Sequence, residues 1–284
     1  MDIVTSRANP RVREILSLKK RAARDKFGLA FIEGPKVVGE ALGAVTIKTV
    51  CVSESFAQSG AFREIVLGAE RHGVKLLYVT DALYAAMSDT MSPQGALAVI
   101  PYFDYSAGEV LFGGRKPGEH GRRRRLLILD RVSDPGNVGV MIRTAEAAAF
   151  SGVVLSEECA DIYAPKTLRA TMGSFLRIPF LRGANLPGLL EELRLSGFSV
   201  YATGVLEDGA QNCFAADIGG GDIAIVIGSE AGGVDKRLAA QCDGVLYIPM
   251  PGGAESLNAG VAAGIIMYEI IRRDQGGLRP GGEK

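Results

Sequence analysis

Apolar residues recur along this chain in two registers: short runs that are apolar throughout, and longer stretches in which apolar positions return every three or four residues. In the second half the runs fall at residues 126–129, 153–155, 199–202, 223–227 and 245–248, with helical stretches between them and a last helix over 256–273. Strands that are apolar on both faces and separated by helices predict a mostly parallel sheet covered on both sides. Ligands of such sheets sit where strands end, so the chemistry is sought in the loops that follow the runs. In the first half the pattern predicts a basic helix over 9–20, a short helix over 35–42 opened by Pro35 and a strand over 45–52. It continues with a helix over 61–71, a strand over 75–79, a helix from Asp81 and a strand over 96–101. That succession is a small α/β domain. A glycine-rich, charged stretch separates the halves, giving a small domain over 1–105, a basic linker over 106–125, a larger α/β domain over 126–275 and a glycine-rich tail over 276–284 expected to be disordered.

Composition narrows this picture without redirecting it. The 284 residues are 47% hydrophobic, enough to fill two cores. Cys51, Cys159, Cys213 and Cys242 lie far apart, which offers no short-spaced metal signature and no dense disulfide framework, and points to a reducing cytoplasm. The first ten residues lack the apolar core of a signal peptide, and the apolar stretch near 261–271 is too short and too polar to span a membrane. Net charge is zero, but its distribution is uneven: residues 1–28 hold eight Lys and Arg against three Asp and Glu. A second basic cluster runs through Arg115, Lys116 and 122–125. Such clustering is the footprint of a phosphate-rich partner, with Arg7, Arg11, Lys19, Lys20 and Arg21 as candidate RNA contacts, and equally that of a solvated helix face.

Three strand-end loops carry residues suited to chemistry. The first, Asp-Arg-Val-Ser-Asp-Pro-Gly-Asn-Val-Gly-Val-Met-Ile-Arg over 130–143, turns at Pro135 and Gly136, offers Asn137 as a helix cap, and places Arg143 under two turns later. Helical side chains lean toward the N-terminus, so the Arg143 guanidinium can reach back to a phosphate at the loop. The second, Gly-Ser-Glu-Ala-Gly-Gly-Val-Asp over 228–235, surrounds Glu230 with glycines that permit close backbone approach. The third, Pro-Met-Pro-Gly-Gly-Ala-Glu-Ser-Leu-Asn over 249–258, leads into the last helix with Ser256 as a possible cap and Asn258 in its first turn. Small residues of that helix, among them Ala259, Gly260 and Gly264, let another backbone lie close, within the fold or across a dimer. Each loop taken alone also serves a plain capped helix or a tight turn.

Together, in this order and spacing, the three loops resemble the SpoU (TrmH-like) family of RNA ribose 2′-O-methyltransferases, over about 126–273. The segment with Phe31-Ile32-Glu33-Gly34-Pro35 and the basic start looks like the small RNA-binding domain that many members carry. The resemblance implies a trefoil-knotted α/β methyltransferase domain, a topology that general rules of chain connectivity would exclude. It implies Asn137, Arg143, Glu230, Ser256 and Asn258 as active-site residues. It also implies S-adenosylmethionine held mainly by backbone at Thr203, Gly204, Ile227, Gly228, Ile248 and Leu257, and a homodimer with the site near its interface. Gly260 departs from the small polar residue common there.

Ribosomal RNA is the first substrate expectation and transfer RNA the second; an antibiotic-resistance methyltransferase and a non-catalytic RNA-binding protein are the alternatives. Arg169, in Leu-Arg-Ala-Thr-Met-Gly-Ser, reads as an RNA contact or as an ordinary helix end. No Gly-x-Gly-x-x-Gly follows a strand and there is no P-loop, so dehydrogenase and NTPase readings lack their phosphate loops. The only histidines, His72 and His120, lie outside the catalytic-looking half, which removes a Ser-His-Asp hydrolase. No metal is expected.

Overall fold

In a computed structural model, which describes residues 2–112, 123–205, 207, 209–218 and 220–274, the chain divides into two compact units. The first comprises residues 1–103 and 161–176; the second comprises 104–160 and 177–284. The expected linker residues Arg115, Lys116 and Arg122, and the expected tail over 276–284, lie outside the described residues.

The first unit is built on strands β1 (Ile3–Val4), β2 (Leu29–Glu33), β3 (Thr49–Ser53), β4 (Leu76–Val79) and β5 (Ala96–Pro101), in the spatial order β1-β4-β3-β5-β2. β1, β4 and β3 are parallel, while β5 runs antiparallel to both β3 and β2. Its helices are α1 (Pro10–Ser17), α2 (Arg21–Phe27), α3 (Pro35–Ala44), α4 (Phe62–Arg71) and α5 (Asp81–Met87). The core gathers Ile15, Leu18, Phe31, Tyr84, Met87 and Leu97. The single basic helix expected over 9–20 is two: α1 opens on the Asn9 side chain, which accepts from the Arg11 N–H, and the chain breaks at residues 18–20 before α2. Lys19 is spent at that break, donating to the carbonyls of Ala86 and Ser88 at the end of α5.

The second unit contains α6 (Ala107–Phe112), β6 (Arg125–Leu129), α7 (Pro135–Ala147) and β7 (Gly152–Ser156). After β7 the chain supplies α8 (Pro165–Thr171) to the first unit. It returns as β8 (Phe180–Ala184), α9 (Leu186–Leu195), β9 (Ser199–Gly204), β10 (Gln211–Asn212), β11 (Ile223–Ile227), α10 (Lys236–Ala239), β12 (Gly244–Tyr247) and α11 (Ala259–Asp274). The seven strands pair in parallel throughout, in the order β10-β12-β9-β11-β6-β7-β8. Parallel pairing puts every strand's carboxyl end on one edge, and β12, β9, β11 and β6 are successive neighbours there. The all-apolar runs are buried as their composition requires, with all five residues of β6, β7 and β11 inside.

Two helix starts differ from expectation. The cap of α7 is Asp134, whose carboxylate accepts from the Asn137 N–H, so Asn137 sits inside the first turn with its side chain free to work elsewhere. The last helix begins at Ala259, not 256. Asn258 is its cap, accepting from the Gly260 and Val261 N–H groups. Gly260 and Gly264 of α11 lie against Val140 and Thr144 of α7, so these small residues serve packing within the fold.

Candidate active site

The three loops converge through one chain of hydrogen bonds. The Asn137 side-chain amide donates to Glu230 Oε1 at 2.8 Å, and its Oδ1 accepts from the Asn258 side-chain amide at 2.9 Å. Asn258 Oδ1 then receives the first free N–H groups of α11. Glu230 also accepts from the Ser133 amide and hydroxyl and from the Asp134 amide. A carboxylate in the second loop is thereby tied to the first, and the first to the third, by residues 93 and 121 positions apart. Burial opposes ionisation of Glu230, but hydrogen bonds from Asn137, from its own backbone and from the 133–134 amides outweigh it, so its carboxyl is held below the ordinary value.

A second tie supports the first. Asp130, buried at the end of β6, accepts from the Asp235 N–H at 2.8 Å and pairs with Arg131. Arg131 takes a left-handed backbone at φ 55, uncommon for a residue with a side chain, at the turn that brings these loops together. Asp130, Ser133 and Asp134 lie in the loop that the sequence singles out but were not among the expected site residues. A carboxylate placed directly at a strand end is the signal that could have marked Asp130.

Within the second loop, Gly228 leaves no room for a side chain: a Cβ there would lie 1.9 Å from the Gly233 carbonyl carbon and 2.0 Å from the Val234 nitrogen. Ser229 and Gly233 exchange backbone hydrogen bonds of 3.1 and 2.9 Å, closing the loop into a tight ring around Glu230. Ile227 and Gly228 end β11, Thr203 and Gly204 end β9, and Ile248 follows β12. Thr203 Oγ1 donates to the Val226 carbonyl, pinning two of these ends together. Leu257 is exposed just before α11. The six expected cofactor residues therefore lie at the ends of three neighbouring strands and at the entrance to the last helix.

Arg143 is exposed on α7 and forms no ion pair among the described residues, which leaves its guanidinium available. Ser256 is exposed, with no hydrogen bond among the described residues; the relay reaches Asn258 without it.

The expected RNA contacts fare unevenly. Arg7, Arg11 and Lys20 are exposed, and Arg21 pairs with Asp25. Lys19 caps α5, as described, and Arg169 pairs with Asp89 at 2.8 Å and Glu33 at 3.6 Å. Of the second basic cluster, Arg123 and Arg125 bind Asp274, and Arg124 binds Asp222, so these charges brace the fold. Among the described residues no cluster of His, Cys, Asp and Glu could hold a metal, and no helix is long and apolar enough to cross a membrane.

Residues 124–268 match the SpoU rRNA Methylase family, and residues 9–98 match an MRM3-like substrate binding domain. The chain is 33% identical, over 95% of its length and 99% of the relative's, to the 23S rRNA (guanosine(2553)-2′-O)-methyltransferase RlmP of Bacillus subtilis. It superposes on the AdoMet-bound rRNA methyltransferase of Sinorhizobium meliloti with a TM-score of 0.82 and 31% identity, covering 96% of this chain and 97% of that one. The SpoU methyltransferase AviRb of Streptomyces viridochromogenes shares the fold at a TM-score of 0.80 and 22% identity, covering 94% and 98% of the two chains. With the family model matched over 124–268, a shared fold and full-length likeness, the chain belongs to the SpoU rRNA Methylase family.

Proposed function

We propose that this protein transfers a methyl group from S-adenosylmethionine to a ribose 2′-hydroxyl of ribosomal RNA. The observation that carries the reading is the Glu230–Asn137–Asn258 relay, which holds three strand-end loops together on the edge where a parallel sheet binds its ligand. The residues fit the cofactor: Gly228 presents bare backbone where any Cβ would strike the facing strand of its loop, and Thr203, Gly204, Ile248 and Leu257 complete a cradle of main chain. On this reading the loops after β9, β11 and β12 are the turns of the family's trefoil knot. When bound, S-adenosylmethionine supplies an electrophilic methyl on a sulfonium, which the ribose 2′-oxygen takes as a neutral thioether departs.

The protein's share is alignment and handling of one proton. A ribose hydroxyl is a weak nucleophile at neutral pH, and holding it in line with the methyl accounts for much of the acceleration. Arg143, always protonated, cannot serve as the base. It binds the phosphate beside the target ribose, and that phosphate oxygen accepts the hydroxyl proton and passes it to water. Asn137 and Asn258, fixed by Glu230, keep the first turn of α7 and the entrance of α11 in register while this happens. Ser256, without a hydrogen-bond partner among the described residues, is available to the substrate.

The working form is a homodimer: Val140 of α7 and Leu257, Val261 and Tyr268 at α11 are large apolar residues left exposed on two helices that pack together beside the relay. The protein works in the cytoplasm, and transfer RNA is the second substrate reading.

Calorimetry with S-adenosylmethionine, followed by mapping of 2′-O-methyl positions in RNA from cells with and without the gene, tests this. Binding, and loss of one rRNA ribose methylation, are expected. Absence of cofactor binding would leave a non-catalytic RNA-binding protein.

A further inference from the structure

The first unit contains a cavity of about 200 Å³ between the start of α3 and the end of α8. Buried Phe31, Ile32 and Leu168 form its apolar floor, and exposed Lys36, Gln94 and Met172 stand at its rim. It is smaller than the roughly 300–1,000 Å³ of pockets that take whole drug-sized ligands, and it suits a single flat ring.

Three features make it a built site. Arg169 lines it with a guanidinium locked by Asp89, while the Asp89 N–H donates in turn to both oxygens of Glu33, so the planar group is fixed before any ligand arrives. Met172 projects from a left-handed backbone at φ 50, which residues with side chains rarely adopt, and is 54% exposed. A glycine would be the ordinary occupant of that helix end. The exposed Gln94 amide lies beside Gly34 at the rim, where a Cβ added to Gly34 would meet its oxygen at 3.0 Å.

We infer that this cavity takes one unstacked nucleobase of the substrate RNA, an inference that rests on the RNA methyltransferase reading above. The base lies against the Arg169 plane and the Met172 thioether, the Gln94 amide reads its edge, and Lys36 meets the neighbouring phosphate. Single-stranded RNA is recognised by stacking splayed bases on guanidinium or aromatic planes and hydrogen-bonding their edges; here the Arg169 plane supplies the stacking surface and the thioether an apolar contact beside it. The site lies in the segment matched to a substrate binding domain together with the segment 161–176.

The test uses the full-length protein and a 23S rRNA fragment spanning the guanosine 2553 region named for the Bacillus relative. The fragment is transcribed once with 4-thiouridine and once with 6-thioguanosine. Met172→Gly suits the φ at that position, so it is expected to melt no lower than wild type and to bind S-adenosylmethionine equally, yet to bind the RNA about five- to tenfold more weakly, the lower end of a lost stacking contact. Gln94→Ala, at an exposed position, is expected to weaken RNA binding without a change in melting. Photo-crosslinks should map to peptides covering 165–177 or 31–37. Wild-type methylation of the fragment with crosslinks elsewhere, and with both variants binding like wild type, would overturn the pocket and leave the proposed function standing. A wild-type protein that neither binds nor methylates this fragment or whole ribosomal RNA would overturn both.

Discussion

Replacing Gly228 with alanine inserts one methyl group where the structure has no space for it. The new Cβ would lie 1.9 Å from the Gly233 carbonyl carbon and 2.0 Å from the Val234 nitrogen. Non-bonded carbon atoms rest at about 3.5–4.0 Å, so the two arms of the loop must part by roughly 1.5 Å or more. These are backbone atoms, and no side-chain rotation can relieve the contact. Parting the arms breaks the two Ser229–Gly233 hydrogen bonds, at about 0.5–1.5 kcal/mol each, and adds the about 1–3 kcal/mol typical of overpacking. A loss of about 2–6 kcal/mol in unfolding free energy follows, with S-adenosylmethionine bound at least about tenfold more weakly because the cradle itself has moved. Urea unfolding gives the first number and calorimetry the second. A Gly228→Ala protein within about 0.5 kcal/mol of wild type, the range of an ordinary surface change, and with unchanged cofactor affinity would refute both the sterics and the placement of the cofactor.

Asn258→Ala removes the cap of α11 and is expected to cost about 1 kcal/mol, whereas Ser256→Ala, which breaks no hydrogen bond among the described residues, should leave stability unchanged; thermal unfolding of the two decides which residue caps the helix. Because the Glu230 carboxyl is lowered in the fold, its stabilising contribution is full above the unfolded-state value near 4.5 and is lost as pH falls through the folded one. Wild type should therefore lose more stability than Glu230→Gln between about pH 5 and pH 3 in acid titrations followed by circular dichroism, by a modest margin because the group is exposed. Arg24→Ala strands Asp161, which pairs with Arg24 at 2.6 Å with both side chains nearly buried, and should cost about 3–5 kcal/mol in urea unfolding.

What the sequence made legible follows from how local each signal is. β11 and β5 occupy the expected residues because a run of apolar residues bounded by polar ones needs no distant information. β8 was not anticipated: Phe180–Ala184 carries an arginine and a glycine on a mostly half-exposed edge strand, and nothing in so mixed a run separates strand from loop. The strand β2, Leu29–Glu33, was not assigned from the sequence, although it overlaps the Phe31-Ile32-Glu33 stretch singled out there. Helix caps were misplaced by a few residues because Asp134 and Asn137, or Ser256 and Asn258, are equally good caps on paper, and only the three-dimensional partners of Asn137 show that its side chain is committed to Glu230 and Asn258. Charge was the least legible feature. Arg24 and residues 123–125 look like an RNA-facing cluster, yet their partners Asp161, Asp222 and Asp274 lie about 100 residues or more away in the chain.

The central claim, that these loops present a ribose oxygen to a methyl donor beside Arg143, is tested most directly by single-turnover transfer from methyl-tritiated S-adenosylmethionine to unmodified 23S rRNA, with the product digested to nucleosides. The account predicts that the wild-type label appears as a 2′-O-methylnucleoside and that Arg143→Ala, at saturating RNA and cofactor, slows its formation by about a hundredfold or more. Label on a base, or an Arg143→Ala rate equal to wild type, would contradict it.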